Sequence, residues 1–327
     1  MSQTKPDPLD RAPLAYENGA FLNSPDGRII RIMAEYSEPM SRFRRERIQD
    51  TVVFFGSARF RELDEARHEL QLLANTGSAT PAPESEQPAR PEEVERGVAS
   101  ERRLRLAEAA VEMAQYYEDA RRLAGMLTTW TKNLPGSRHR FVVTSGGGPG
   151  IMEAANRGAY EAGGKSIGLN IKLPFEQIPN PYITPGLSFE FHYFFTRKYW
   201  FAYLAKALVV FPGGFGTLDE MFELLTLAQT EKLAKKITIL IYGSSYWKQV
   251  INLDLLAEKG AIAMKDRELF QFVDTPEEAF RLLQQELIKH HLEPGFEARQ
   301  HPREHEVPST PAPSAQEMLG PDIARTR

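Results

Sequence analysis

The sequence predicts an α/β protein in which helices cover both faces of a parallel β-sheet. Short apolar runs alternate with helical patterns along most of the chain, which is the order typical of βαβ units. Hydrophobic residues make up 42% of the 327 residues, enough for a sizeable core. Two glycine-rich turns each join an apolar run to a helical run, as strand-to-helix turns do in such sheets.

The N-terminal part begins with an extension, residues 1–49, in which the spacing of apolar residues predicts one helix over 29–47. The short apolar run 51–55 predicts a buried first strand, and a helix over 62–73 follows it. Residues 76–95 hold four prolines among polar side chains. That composition cannot bury a core, so it predicts a flexible insertion.

Beyond the insertion, helices and strands alternate to the end of one domain, residues 50–291. The predicted strands are 141–143, 166–171, 188–193, 207–211, 237–242 and 270–273. The predicted helices are 94–132, 151–162, 195–206, a helix from the second glycine turn to 232, 246–259 and 275–290. At the last of these, Thr275-Pro276-Glu277-Glu278 has capping-box spacing with proline at the first helical position. Residues 292–327 are proline-rich and poor in apolar groups, which predicts a disordered tail.

Composition and charge exclude several classes of protein. The net charge of −4 argues against a general nucleic-acid-binding protein. The absence of cysteine excludes disulfides, thiolate metal sites and cysteine nucleophiles, and it suits a reducing cytoplasm. No apolar run approaches about 18 residues, so neither a membrane-spanning helix nor a membrane partner is expected. The seven histidines lack the spacing of metal ligands, so no metal site is predicted.

The first glycine turn contains Gly146, Gly147, Gly148 and Gly150 between a predicted strand and a predicted helix. Bare N–H groups and the helix dipole make such a turn a favourable site for an anion. The turn can also need glycine only for a positive φ. Its spacing matches neither the dinucleotide-binding motif nor the P-loop. Both interpretations therefore stay open for this turn by itself.

The second glycine turn adds a hydroxyl and a carboxylate to the open backbone. Gly213, Gly214 and Gly216 leave the backbone open, and Thr217 adds a hydroxyl donor. Glu220 follows within the first helical turn, where a carboxylate can simply favour the dipole. A carboxylate beside an anion-binding turn also suggests a residue that acts on a sugar next to a phosphate. Since ligands bind at the carboxyl ends of parallel strands, we expect both turns and Gly56-Ser57 to converge on one pocket.

Arg197 and Lys198 lie within an aromatic stretch, Phe189 to Tyr203, that contains nine rings. Packing in the core or at an interface is the simpler explanation of the rings, and base stacking is the alternative. Two cations in so apolar a stretch need anionic partners, because burying an unpaired charge is costly.

Three motifs of the chain together resemble one family. Pro212 to Glu220 follows the pattern Pro-Gly-Gly-x-Gly-Thr-x-x-Glu, Ser145 to Ala159 follows a second pattern, and Arg197-Lys198 a third. These are motifs of the Lonely Guy (LOG) family of nucleotide phosphoribohydrolases, long mislabelled lysine decarboxylases. The resemblance covers about residues 50–290 and implies a Rossmann-like fold, in agreement with the predicted parallel sheet.

The family resemblance implies hydrolysis of the N-glycosidic bond of a nucleoside 5′-monophosphate, which gives free base and ribose 5-phosphate. It implies that Arg197 and Glu220 are catalytic, and we expect no cofactor. The positions that it assigns to substrate binding are Glu176, Gly213, Gly214, Phe215, Gly216, Thr217, Leu218, Asp219 and Thr226. We also expect the first glycine turn, which shapes the pocket, and the basic pair to contribute Gly146, Gly147, Gly148, Gly150 and Lys198 to substrate binding.

The chain departs from the plant members of the family at several places. It has Met152-Glu153 and Thr196 at motif positions where plant members differ, and it carries the extension, the insertion and the tail. It is more similar to a longer bacterial branch, so AMP or a related nucleotide is expected as the substrate rather than a cytokinin precursor. The alternative is a non-catalytic protein that binds a phosphorylated ligand, as molybdenum-cofactor carriers do, although Arg197 and Glu220 favour the enzyme.

Two further expectations complete the analysis. A decarboxylase would need a lysine that forms a Schiff base with pyridoxal phosphate, and no sequence context marks one. The aromatic stretch, together with the family resemblance, predicts a homodimer or a larger homo-oligomer.

Overall fold

The structure is a computed structural model, and it describes residues 13–77, 91–174, 178–233 and 235–292. The core of the predicted insertion and the predicted tail from residue 293 onward lie outside the described residues. None of the described helices is both long enough and apolar enough to cross a membrane.

The described strands form one seven-stranded sheet in which every pairing is parallel, so the predicted α/β fold class is confirmed. The strands are β1 (Thr51–Phe55), β2 (Val142–Ser145), β3 (Ser166–Ile171), β4 (Ser188–Phe191), β5 (Ala205–Val210), β6 (Thr238–Tyr242) and β7 (Gln271–Val273). Their order is β4-β3-β2-β1-β5-β6-β7. The chain therefore builds outward from β1 in one direction and then returns to build outward from β5 in the other.

Helices connect the strands and cover both faces of the sheet. They are α1 (Gly19–Asn23), α2 (Arg28–Arg45), α3 (Leu63–Gly77), α4 (Pro91–Lys132), α5 (Ile151–Glu161), α6 (Phe194–Leu204), α7 (Phe215–Gln229), α8 (Ser244–Val250), α9 (Leu253–Glu258) and α10 (Pro276–His291). Two 3₁₀ helices span Pro185–Leu187 and Met264–Leu269. One face packs against α2, α6, α7, α8 and α9, and the opposite face packs against α4, α5 and α10.

Burial along the strands follows their position in the sheet. All five residues of β1 are buried, because helices cover both of its faces and a strand lies on either side. β4 lies at the edge, and there Phe189 and Phe191 are buried while Glu190 between them is exposed. This alternation is what the sequence predicts for a strand with one covered face.

Three predicted elements differ from the structure. The predicted helix 246–259 is wrong as a single element, because Ile251 is extended and Asn252 accepts a hydrogen bond from the Leu255 N–H to begin α9. The N-terminal extension has two helices, since α1 precedes the predicted one. Helix α4 begins at Pro91, inside the stretch predicted to be a flexible insertion.

The capping signal before α10 is confirmed in part. The hydroxyl of Thr275 accepts from the Glu278 N–H at 3.3 Å, and Pro276 occupies the first helical position. The side chain of Glu278 accepts from the N–H of Asp274 rather than from that of Thr275. The helix therefore begins where the sequence predicts, with the second half of the capping box moved back by one residue.

Candidate functional site

The two glycine loops meet at the point where the strand order reverses. β1 and β5 are neighbours in the sheet, and the first loop follows β2, on the other side of β1. Ser57, just after β1, joins the two loops through its backbone: its N–H donates to Pro212 O at 3.0 Å, and its carbonyl accepts from the Ile151 N–H at 3.0 Å. The structure therefore brings Gly56-Ser57 and the two glycine turns together at one edge of the sheet.

Backbone geometry requires glycine at two positions of the first loop. Gly147 has a φ of 77° and Gly150 a φ of 71°, in the region that side chains rarely adopt. A Cβ at Gly150 would lie 2.3 Å from Ser57 O, and one at Gly147 would lie 2.4 Å from Oδ1 of Asn170. Close approach of neighbouring groups thus explains part of this glycine cluster without any ligand.

A buried polar network holds the same loop in place. The side-chain amide of Asn180 donates to the carbonyls of Gly147 and Gly148, and also to Oδ1 of Asn156. The hydroxyl of Ser145 donates to Oδ1 of Asn156 at 2.7 Å and accepts from the Gly147 N–H. Sequence reasoning gave no role to either asparagine. Asn156 falls inside the second family motif, but Asn180 carries no local signal that could have identified it.

The second loop is exposed, whereas buried side chains hold the first loop by hydrogen bonds. Helix α7 begins at Phe215 after Gly214, and no side chain caps its N-terminus. Apart from its chain neighbours and the adjoining helix backbone, a Cβ added at Gly214 or Gly216 would meet no atom of the described chain within 4 Å, and Phe215 is 93% exposed. Thr217 is buried against Gly213. The exposed, uncapped helix N-terminus gives this loop the properties of an anion site.

Arg197 reaches from α6 into the space between the two loops. Its Nε donates to the carbonyl of Leu169 on β3 at 2.7 Å, and its Nη1 lies 3.2 Å from Oε1 of Glu220. Its Nη2 lies against Gly146, where a Cβ would approach to 2.6 Å. The guanidinium also stands 4.9 Å from the ring centroid of Phe201. Burial lowers the pKa of Arg197 and Glu220 opposes the shift, but arginine starts so high that it stays charged.

Glu220 forms the other half of this pair, one turn into α7. Its side chain is only 16% exposed, and burial raises its pKa from an ordinary 4.5 to about 7. Arg197 acts in the opposite direction, and the negative charge of Asp219 adds to the rise. A carboxyl group with such a pKa is present in both protonation states near neutral pH, which is the condition for acid–base chemistry.

Lys198 lies beside this pair but is already neutralised. Its Nζ lies 2.9 Å from a carboxylate oxygen of Asp219 and 2.9 Å from one of Glu223. Partial burial acts to lower the pKa of Lys198, yet the hydrogen bonds to these two carboxylates outweigh it, and the pKa is raised. We expected anionic partners for Arg197 and Lys198, and all of these partners lie on α7.

The remaining predicted residues line an open groove along the outer side of α7. The groove has a volume of about 530 Å³, and its lining includes Lys198, Phe215, Leu218, Asp219 and Thr226. The Thr226 hydroxyl donates to the carbonyl of Phe222 within the helix. The structure thus brings these residues together on one flank of α7, next to the Arg197–Glu220 pair. Glu176 lies outside the described residues.

Two contacts from outside the motifs also shape the site. The hydroxyl of Tyr246 on α8 donates to the carbonyl of Gly213 at 2.9 Å. The carboxylate of Glu35 on α2 accepts hydrogen bonds at the beginning of α6, the helix that carries Arg197. Sequence reasoning missed both, because each joins residues that are far apart in the chain. In the part of the chain that the structure describes, no group of three His, Asp or Glu residues could hold a metal ion.

The chain is similar in sequence to one family model and to several curated plant proteins. The family model described as "Possible lysine decarboxylase" matches residues 152–283. The Arabidopsis thaliana protein named probable cytokinin riboside 5′-monophosphate phosphoribohydrolase LOG6 is 28% identical over 150 residues, covering 46% of this chain and 74% of that protein. The Arabidopsis thaliana cytokinin riboside 5′-monophosphate phosphoribohydrolase LOG3 is 27% identical over 151 residues, covering 46% and 69%.

Among solved structures, the molybdenum cofactor binding protein from Rippkaea orientalis aligns with a TM-score of 0.36 at 18% identity. That alignment covers 52% of this chain and 86% of the other. The residues 152–283 that the family model matches include Arg197, the second glycine loop and Glu220.

Proposed function

We propose that the chain is a hydrolase that cleaves the N-glycosidic bond of nucleoside 5′-monophosphates, and the similarity to the curated phosphoribohydrolases supports this. The products are the free base and ribose 5-phosphate, and AMP is the substrate we favour. The curated relatives carry the name of a phosphoribohydrolase that acts on cytokinin riboside 5′-monophosphates. Sequence identity this low does not identify the base of the substrate, so the proposal extends to cytokinin nucleotides as related substrates.

The observation that carries the proposal is the buried pair of Arg197 and Glu220 between the two glycine loops. Cleavage of a glycosidic bond passes through a state with positive charge on the sugar ring. A carboxylate close to that ring stabilises the charge and orients the attacking water. Glu220 supplies the carboxylate, and the 3.2 Å contact with Arg197 holds it in place.

Arg197 also tunes this carboxylate. Burial alone favours the protonated form of Glu220, and the guanidinium lowers the pKa toward neutral values. The ionised form is therefore available at the pH of most cells. A guanidinium held by Leu169 O and Glu220 is also rigid enough to position a substrate oxygen or the departing base.

We assign the 5′-phosphate to the N-terminus of α7. The backbone there is exposed at Gly214 and Gly216, and no side chain caps the helix. Lys198 is neutralised by Asp219 and Glu223, so it offers little net charge to a phosphate unless those contacts change. Phosphate binding then depends mainly on helix N–H groups and the dipole.

The test is product analysis with a panel of nucleoside 5′-monophosphates, with the corresponding nucleosides as matched controls. We expect release of free base from AMP and a kcat/KM for adenosine that is lower by at least about 100-fold, because charge-assisted bonds to phosphate are strong. Equal values for AMP and adenosine would contradict the phosphate assignment. Tight AMP binding without base release would support the non-catalytic alternative.

We further propose that the protein forms a homodimer or a larger homo-oligomer. Phe194, Phe195 and Tyr203 on α6 are exposed, as is Phe222 on α7. The neighbouring helix α2 exposes apolar side chains on the same face of the sheet, namely Ile29, Ile30, Met33 and Tyr36. So many apolar groups on one face are typical of an interface.

Light scattering at micromolar concentration tests the assembly. We expect a mass of at least twice the 37.0 kDa of one chain. Phe195→Ser should shift the mass toward that of one chain, whereas Leu106→Ser, at an exposed position of α4 on the opposite face of the sheet, should not. A single-chain mass with full activity would show that assembly is not required.

A further inference from the structure

Helix α6 begins without a capping side chain of its own. Its N-cap residue is Tyr193, whose side chain makes no capping hydrogen bond. The groups at this helix end are instead bound by Glu35, which lies on α2 in the N-terminal extension. Oε1 of Glu35 accepts from the His192 N–H at 2.7 Å, and Oε2 accepts from the Tyr193 N–H at 3.2 Å.

The same residue binds α6 at two further points. Oε2 of Glu35 accepts from the Thr196 hydroxyl at 2.5 Å, and its backbone carbonyl accepts from Nε1 of Trp200 at 2.9 Å. Thr196 and Trp200 are four residues apart, so they lie on one side of the helix. Bonds at both ends of that side fix the rotation of α6 about its axis as well as its axial position.

Arg197 follows Thr196 directly, so the rotation of α6 decides where its guanidinium lies. On the correct rotation, Arg197 reaches both Leu169 O on β3 and Glu220 on α7. Lys198 then reaches Asp219 on α7 as well. A rotation of the helix would carry both cations away from their partners, since none of these partners belongs to α6.

We propose that Glu35 is a positioning residue that holds α6 in the rotation at which Arg197 meets Glu220. The proposal rests on the proposed function, because the pair it positions is the one assigned to glycosidic cleavage. It gives the N-terminal extension a role in the active site. A carboxylate suits this place because its charge is favoured by the helix dipole and strengthens the hydrogen bonds that it accepts.

The packing between α2 and α6 makes the proposal testable without unfolding the protein. Tyr36 lies 5.2 Å from Tyr199, and Phe43 lies 5.4 Å from Trp200, measured between ring centroids. These contacts do not involve the Glu35 carboxylate. Glu35→Gln should therefore keep the two helices together while it removes the charge and one acceptor oxygen.

The experiment compares Glu35→Gln with Glu38→Gln in the full chain. Glu38 lies one turn further along α2, is exposed, and pairs with Arg42 on the same helix at 2.6 Å, so it is the matched control. We expect Glu35→Gln to lower kcat for base release from AMP by about 10- to 100-fold with KM within about threefold, since small misplacements of catalytic groups act on kcat. Glu38→Gln should stay within about twofold of the wild type.

A second variant tests whether Glu35 and Thr196 affect kcat through the same contact. Thr196→Val removes one of the bonds to Glu35, so in the double variant with Glu35→Gln the two losses of kcat should not add. Full additivity would overturn the proposal, and so would a kcat for Glu35→Gln equal to that of Glu38→Gln.

A crystal structure of Glu35→Gln gives a readout that does not depend on activity. We expect Nη1 of Arg197 to move beyond 4.0 Å from Glu220, compared with 3.2 Å in the native protein. An unchanged distance would overturn the positioning role. If the wild type releases no base from any nucleotide, the proposed function fails, while this distance still decides the role of Glu35.

Discussion

The first glycine loop, residues 146–150, is held by hydrogen bonds from buried side chains, whereas the second, residues 213–216, leads into a helix that no side chain caps. In the first loop, Asn180 binds two carbonyls and Ser145 binds an N–H. In the second loop, the contact from outside is the hydroxyl of Tyr246 on Gly213 O, and Gly214 and Gly216 stay exposed.

The difference teaches that glycine serves two purposes at one sheet edge. In the first loop, glycine lets the chain adopt positive φ and pack against Ser57 and Asn170. In the second loop, glycine leaves backbone groups open to an incoming ligand. We therefore interpret the first loop as the wall against which Arg197 lies and the second as the phosphate site.

The largest expected effect concerns the pair between the two loops. Glu220→Gln should lower kcat for base release from AMP by roughly 10²- to 10⁴-fold, the range for loss of an acid–base group. AMP affinity should stay within a few-fold of the wild type, because the phosphate site is unchanged. Stopped assays of free base measure kcat, and calorimetry measures the affinity for AMP. Near-normal release would remove Glu220 from the mechanism.

Gly150→Ala is expected to destabilise the first loop strongly. Its φ of 71° and the 2.3 Å approach to Ser57 O leave no room for a Cβ. The strain should lower the free energy of unfolding by about 1–3 kcal/mol. Denaturant unfolding measures the change. An unaltered midpoint would show that the loop yields easily, against its interpretation as a fixed wall.

The pH dependence of stability is expected to change when Glu220 is replaced. The pKa of Glu220 is raised to about 7 in the folded protein, above its ordinary 4.5. Between these two values the folded state binds more protons than the unfolded state, so the free energy of unfolding falls as pH rises from 4.5 to 7. Glu220→Gln should remove this slope. The stability difference between variant and wild type, measured at several pH values, should therefore grow with pH across that window, and a constant difference would contradict it.

Gly216→Ala should have the smallest effect on stability and the opposite sign. Gly216 lies in α7, and beyond its chain neighbours and the adjoining helix backbone a Cβ there would meet no atom of the described chain within 4 Å, so alanine fits and favours the helix. The free energy of unfolding should stay the same or rise by up to about 0.5–1 kcal/mol. The KM for AMP should rise, because the new methyl group lies at the proposed phosphate site. An unchanged KM would argue against that site, and Gly150→Ala serves as the stability contrast.

Much of the fold follows from local patterns. The strand over residues 51–55 and the helix beginning at Pro276 could be predicted because a short apolar run and a capping sequence each depend on a few neighbouring residues. The break between α8 and α9 was missed, since the pattern of apolar residues continues across Asn252 although its side chain caps a new helix.

The candidate site divides in the same way. The two glycine turns could be identified from the strand-to-helix pattern, and Arg197 and Glu220 from the resemblance to a known family. The sequence could not identify Asn180 or Glu35, because their partners are loop carbonyls and helix N–H groups that only the folded chain brings near them. Every residue other than proline has the same backbone N–H and carbonyl groups, so the neighbouring sequence does not show which of them a distant side chain will bind.

By itself, the sequence determined that this is a parallel α/β protein with two glycine loops at strand ends and a cation and a carboxylate close to them. The tertiary structure decided that Arg197 and Glu220 face each other at 3.2 Å, that Lys198 is neutralised by Asp219 and Glu223, and that one loop is held while the other is open. The physical reason is range: helix and strand preferences act over a few residues, whereas charge pairing, burial and the resulting pKa shifts depend on distances that folding alone sets.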